Sequence, residues 1–108
     1  MKNLLLILTF VSSLSFGQKP DEYFNRANDK AKLQDYRGAI ADYSKAIELN
    51  PDFSEAYYNR GTSKAILEDK RGAIADYSKA IKLNPDFSEA YNNRGYSKAK
   101  LQDNKGAI

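Results

Sequence analysis

The sequence predicts an all-α fold, an array of helix–turn–helix repeats, on three observations. The first is internal repetition. The stretch Arg37–Ile47 recurs unchanged as Arg71–Ile81, and Leu49–Tyr57 recurs as Leu83–Tyr91, both at a spacing of 34 residues. Residues 20–53 and 54–87 agree at 23 of 34 positions, and 54–74 and 88–108 at 15 of 21, which makes the chain an array. The second observation is apolar periodicity of the helical kind within each unit. The third is punctuation: Asn50-Pro51 and Asn84-Pro85 end each unit, because proline lacks an N–H and restricts the residue before it.

Each unit reads as two helices. In residues 54–87, the first covers 55–67, with Tyr57, Gly61, Ala65 and Leu67 on one stripe. Asp69 offers an N-cap after a short turn. The second helix covers 71–83, with Ala73, Tyr77, Ala80 and Ile81 on one face and Ile74 and Leu83 beside it. Asp86, with Glu89 three residues on, has the form of a capping box opening the next helix, and Asp52 with Glu55 repeats it one unit earlier. Small residues at Gly61, Ala65, Ala73 and Ala80 allow close helix approach. Tyr57, Tyr77, Leu67 and Leu83 fill the space around them. A single hairpin cannot bury its apolar face, and stacking the next one gives a continuous core.

Residues 1–17 differ from the rest. Lys2 gives a positive start, Leu4–Phe16 is uncharged and mostly apolar, and Ser15 and Gly17 place small residues around a cleavage site before Gln18. This is the architecture of a secretory signal peptide. The rival reading, a membrane anchor, falls short: Leu4–Phe16 holds 13 residues, against roughly 20 needed to span a bilayer. The protein is therefore expected to be exported, to the periplasm or beyond, with no membrane attachment after cleavage.

Composition narrows the function classes. The 108 residues include neither Cys nor His, so disulfides, thiolate sites, the commonest general base and the commonest metal ligand are absent. The formal charge of +3 is spread among mixed charges, with no run of five like ones, which points away from nucleic acid. The adjacent carboxylates Asp21-Glu22 and Glu68-Asp69 sit at helix starts or turns, where solvation or capping accounts for them. Gly38, Gly72 and Gly106 are single and locked to the repeat, so no phosphate loop is present. Neither a catalytic residue, a cofactor nor a metal is expected.

Period, hairpin units and residue pattern together resemble the tetratricopeptide repeat. Numbering each unit from residues 20, 54 and 88, position 4 holds Tyr23, Tyr57 and Tyr91. Position 8 holds Ala27, Gly61 and Gly95, and position 20 holds Ala39, Ala73 and Ala107. Tyr43 and Tyr77 fill position 24, and Ala46 and Ala80 fill position 27. The resemblance covers 20–108 as units 20–53, 54–87 and a shortened 88–108, about two and a half repeats. The third unit stops at position 21, so its second helix is represented by about one turn. The expectation is a fragment of a longer protein, with helix 88–101 acting as a cap as the alternative. Two positions depart from the family pattern. Position 7 carries Arg26, Arg60 and Arg94, and position 11 carries Lys30, Lys64 and Lys98. Asp42 and Asp76 on the second helices are placed to compensate the arginines, and Arg60 or Arg94 is expected to pair with Asp76.

The resemblance implies a right-handed superhelix, an α-solenoid whose first helices line a concave groove that binds segments of other proteins. Its groove positions hold Phe24, Tyr58 and Asn92; Asn25, Asn59 and Asn93; and Asn28, Thr62 and Tyr96, with Asp21, Glu55 and Glu89 at the rim. The ladder Asn25, Asn59, Asn93 offers both donors and acceptors to a peptide backbone, although duplication also preserves such residues without use. Some family members clamp the C-terminal carboxylate of chaperone tails with Lys, Asn, Asn, Lys and Arg. Asn28 and Asn59 match the two amides, whereas Phe24, Glu89 and Asn93 replace the cations. A desolvated carboxylate needs those cations, so no chaperone-tail binding is expected, and neutral or basic ligands are favoured. A non-catalytic binding scaffold is the reading that follows. The alternatives are an interaction module joined to an enzymatic or assembly domain beyond residue 108, and a self-assembling element.

Overall fold

The computed structural model describes residues 19–106, and side chains as far as Asp103. The expected leader over 1–17 lies outside the described residues, as do Ala107 and Ile108. Five helices follow one another: α1 (Pro20–Lys32), α2 (Tyr36–Leu49), α3 (Ser54–Ile66), α4 (Lys70–Leu83) and α5 (Ser88–Gly106). Each packs against the next. In addition α1 touches α3 and α3 touches α5, while α2 and α4 make no close approach to each other. The first helices of the units therefore form a continuous wall and the second helices splay apart. An array built this way curves towards α1, α3 and α5. Among the described residues, no helix is long and apolar enough to cross a membrane.

The turn inside each hairpin is set by backbone geometry. Gln34 and Glu68 adopt left-handed φ values of 64° and 69°. The N–H of Gln34 bonds Ala31 O at 2.9 Å and that of Asp35 bonds Lys30 O at 2.8 Å, the paired bonds of a Schellman ending. Asp35 and Asp69 then cap α2 and α4, accepting from the N–H groups of Gly38 and Gly72 at 3.0 Å. A Cβ at either glycine would lie 2.7 Å from the capping carboxylate carbon, so a larger residue there would oblige the aspartate side chain to shift.

Two expectations fail at helix starts. The capping boxes Asp52/Glu55 and Asp86/Glu89 do not form. Asp52 and Asp86 are held in the inter-unit turn, where their N–H groups donate to Asn50 Oδ1 (3.2 Å) and Asn84 Oδ1 (3.3 Å). Phe53 becomes the N-cap of α3 with no side-chain cap bond. Its ring is engaged elsewhere, 4.7 Å from that of Phe24. Leu67 also does not join the core. It is the C-cap of α3 and 37% exposed, because the chain has already left the helical stripe at the turn.

The core consists of small residues around two rings. Ala27, Ala39, Ala46, Ala56, Ala73, Ala80 and Ala90 are fully buried, and Tyr43 and Tyr77 are the largest fully buried side chains. Gly61 lets α3 and α4 approach until the Tyr77 ring lies 3.0 Å from where a Cβ would stand. Ile47 and Ile81 complete the seams to the following units, packing with Ala56 and Ala90.

The third unit departs from the expected turn near residue 101. α5 runs on as one helix to Gly106. Gln102, the equivalent of Gln34 and Glu68, stays helical. A left-handed residue other than glycine costs about 1 kcal/mol. That cost is offset in the first two hairpins by a second helix packing back.

Candidate functional site

Four polar clusters organise the wall and the helices behind it. Two of them are ion clusters inside hairpins. Arg26 donates to both oxygens of Asp42, from Nε at 2.9 Å and from Nη2 at 2.8 Å, and Lys30 Nζ adds a contact at 2.9 Å. The second hairpin repeats this with Arg60 on Asp76, both bonds 2.8 Å, and Lys64 Nζ at 3.1 Å. Arg60 is thus the expected partner of Asp76. Arg94 is not: it lies across α4 and donates to Ser78 Oγ at 3.2 Å. Arg60 makes the matching bond to Ser44 Oγ at 3.1 Å, so this side chain ties neighbouring units as well as its own hairpin. The lysines of position 11 went unassigned in the sequence. Their signal is the spacing of four from each arginine, which puts both cations on one helix face before a single carboxylate.

The other two clusters lie on the groove side. Asn28 Oδ1 accepts from Asn59 Nδ2 at 3.0 Å and also from the Tyr43 hydroxyl. Thr62 Oγ1 meets the Tyr77 hydroxyl at 3.1 Å, and Asn93 Nδ2 donates to the Tyr58 hydroxyl at 2.8 Å. The candidate groove residues therefore have unequal standing. Asn59 and Asn93 spend an amide N–H on the preceding unit, leaving the carbonyl side of each amide uncommitted by these bonds. Asn25 is exposed, and Tyr96 is 65% exposed. Phe24 packs inward, 5.8 Å from Tyr43 as well as against Phe53. Tyr58 is tilted between Tyr77 at 5.6 Å and Phe87 at 4.7 Å.

Three hollows follow from this arrangement. One of about 350 Å³ lies between the first two units, lined by Asn28, Ala31, Tyr36, Tyr58, Asn59, Thr62 and Ile66 among others. A second, of about 360 Å³, recurs one repeat later between Ala65, Lys70, Tyr96, Ser97 and Lys100, with Glu68 at its edge. The third, about 430 Å³, is framed by Glu55, Asp86 and Glu89 around Tyr58, Asn59, Asn84 and Phe87. Tyr58 and Asn59 form the partition between the first and third hollows. One end of the wall is therefore acidic and the other carries Lys32, Lys70 and Lys100. Among the described residues no group of three or more potential metal ligands converges.

These environments shift titrations in opposite directions. The Arg26 guanidinium holds the Asp42 carboxyl below its ordinary value, against the opposing effect of burial and with help from Lys30. Burial pushes the Tyr43 phenol up to about 12, against the smaller pull of the Asn59 amide, and burial raises Tyr77 likewise. A carboxyl depressed in the folded state contributes stability above its unfolded value that is lost as pH falls through the folded one. A phenol raised in the folded state contributes stability below its unfolded value that is lost as pH rises through the folded one. Thermal midpoints recorded against pH should therefore stay level between about pH 5 and 9 and fall on both sides. An Asp42→Asn variant should lose part of the acid limb, and a Tyr43→Phe variant part of the alkaline limb. Limbs identical to those of the parent would contradict these assignments.

The sequence matches family profiles described as TPR repeat over residues 27–64 and as tetratricopeptide repeat over 54–87 and 76–108. No curated protein matches it. Several solved structures do. The first TPR of Spaghetti (RPAP3), bound to the HSP90 peptide SRMEEVD, is similar with a TM-score of 0.76 and 28% identity, over 78% of this chain and 67% of that one. The TPR2B domain of yeast Sti1, in its pHsp70 complex, gives 0.75 and 26%, over 82% and 70%. MamA gives 0.77 and 25%, over 78% of this chain and 49% of that one, so the chain spans about half the length of MamA.

Proposed function

The chain belongs to the tetratricopeptide-repeat family, and on that premise we propose that its inner wall is a non-catalytic binding groove for an extended segment of another protein. The observation that carries this reading is the recurrence of an open hollow at the spacing of one repeat, with Tyr58 and Asn59 standing between that series and the acidic hollow. A peptide laid along the wall meets aromatic surface and uncommitted amide carbonyls at each unit. Backbone recognition by amides supplies affinity with little demand on side chains, and aromatic rings supply contact area at low entropic cost. Export, supported by the composition of residues 1–17, puts this ligand in the periplasm or outside the cell.

The ligand's charge follows from the rim. The similar structures of Spaghetti and Sti1 are complexes with chaperone peptides, one of them the acidic SRMEEVD. Here Glu55, Asp86 and Glu89 face the shared hollow, and Phe24, Glu89 and Asn93 stand where a carboxylate clamp needs cations. The acidic end of the wall fits neutral or basic segments, and it lacks the cations that an acidic tail would need there. An array of synthetic peptides of graded charge, probed with the protein, tests both parts. Basic peptides with an aromatic residue should bind best. The Glu55→Lys, Glu89→Lys double variant should weaken them about tenfold and lose that dependence in high salt. Preference for SRMEEVD, or no binding to any peptide, would reject the proposal.

A further inference from the structure

The acidic hollow and the open hollow between the first two units meet at Tyr58 and Asn59, which line both. Along α3 the acidic one begins at Glu55 and the other ends at Ile66. At the helical rise these residues stand about 16 Å apart. The chemistry on the two sides is opposite. Among the described residues no cation pairs with Glu55, Asp86 or Glu89. The rings of Tyr58 and Phe87 stand beside these carboxylates, 4.7 Å from each other. Helix N-termini account for Glu55 and Glu89. They do not account for Asp86 in the turn, or for two rings in the same hollow. The residues described around the other hollow include no carboxylate and one cation, Lys32. Tyr36 and Ile66 give it apolar walls, with Ile66 49% exposed. Between the two hollows, the Asn59 amide donates to Asn28, and that bond leaves its carbonyl uncommitted.

We propose that the ligand of this wall is anchored by an arginine and an aromatic residue adjacent in its sequence, a reading that rests on the groove function above. In an extended strand successive side chains point to opposite sides. A strand laid across α3 at Tyr58 and Asn59 therefore sends one side chain towards each hollow. The arginine enters the acidic hollow, where its planar guanidinium stacks on a ring and meets the carboxylates in pairs of hydrogen bonds. Lysine, a point charge without a flat face, fits this hollow less well. The aromatic residue enters the other hollow, against Tyr36 and Ile66, and Lys32 opposes the exchanged placement. A backbone N–H of the ligand, passing over the partition, donates to the Asn59 carbonyl. An arginine and a ring two residues apart lie on the same side of a strand and cannot fill both hollows at once.

The test is a set of glycine-flanked peptides titrated into the whole isotope-labelled protein and read by NMR chemical shifts. The set contains Arg-Tyr, Tyr-Arg, the spaced Arg-Gly-Tyr, and versions with either anchor replaced by alanine. At least one adjacent order should bind about tenfold tighter than the spaced peptide, as for loss of one hydrogen-bonded charge. The Asp86→Asn, Glu89→Gln protein should lose the preference for arginine over alanine and keep that for tyrosine. Ile66→Trp, which fills the other hollow, should do the reverse. All three changes fall at exposed positions, so helical circular dichroism should stay at the parent value. Equal affinity for spaced and adjacent peptides, or a folded variant that blunts both preferences together, would overturn this inference and leave the groove function standing. Saturable binding by none of the peptides would overturn both.

Discussion

Replacing Tyr77 with alanine should leave the chain largely unfolded. Tyr77 is 1% exposed, and its ring lies 3.0 Å from where a Cβ on Gly61 would stand. Its ring faces Tyr58 at 5.6 Å, and its hydroxyl meets Thr62 at 3.1 Å. Truncating a buried aromatic side chain to alanine costs about 3–5 kcal/mol, because surrounding groups collapse only partly into the cavity. Here collapse is limited on the Gly61 side, where there is no side chain to move inward. A small array has total stability near the lower end of about 5–15 kcal/mol. The middle hairpin also holds both interfaces to its neighbours, so its loss uncouples the whole array. Urea unfolding followed by circular dichroism measures this directly. Tyr77→Phe, which removes only the hydroxyl, should cost about 1 kcal/mol. A Tyr77→Ala midpoint close to that of the parent would show that the ring is not what joins the hairpin.

The second large effect is at Asp76. Asp76→Ala leaves Arg60 and Lys64, with side chains 18% and 23% exposed, without the carboxylate that justifies their burial. Removing one partner of a buried pair costs about 3–5 kcal/mol, most of it from the stranded charge. The first hairpin provides an internal control. Asp42 is equally buried, but Arg26 and Lys30 are 46% and 35% exposed and water can take over their solvation. Asp42→Ala should therefore be distinctly milder than Asp76→Ala, although the two clusters have the same residues and nearly the same bond lengths. Replacing Arg60 and Lys64 by methionine in the Asp76→Ala background should recover most of the loss. Equal destabilisation by the two alanine variants would refute the role given to solvation. Among the charged positions, then, burial of the cations decides the outcome more than the ion pair itself.

Much of this was legible in the sequence. The repeat fixes hairpin order, and the small–large alternation places Ala73, Tyr77, Ala80 and Ile81 on one buried face, where the structure has them. The ends of elements were harder to read. Asp52 and Asp86 have the right spacing for a capping box, but an Asx turn at Asn50 and Asn84 engages them first. Gln102 has the same neighbours as Gln34, yet its backbone stays helical, so the local sequence alone does not set the left-handed turn.

The groove shows the same limit. The asparagines of position 6 are identical in sequence, but Asn59 donates to Asn28 and Asn93 to Tyr58. Those acceptors occupy different repeat positions that diverged between units. Only the three-dimensional register of one unit on the next selects the bond. The same register brings Glu55 of one unit together with Asp86 and Glu89 at the next inter-unit turn and helix.

The contrast between touching inner helices and separated outer ones has a mechanical consequence. Bending the array about α1, α3 and α5 changes the gap between α2 and α4 without breaking any approach between them, since none exists. Curvature is therefore expected to be softer than elongation or twist, which strain the seams at Ile47 and Ile81. A flexible wall of this kind can tighten around a thin strand or relax around a thicker one by changing its radius, with its residues keeping their neighbours.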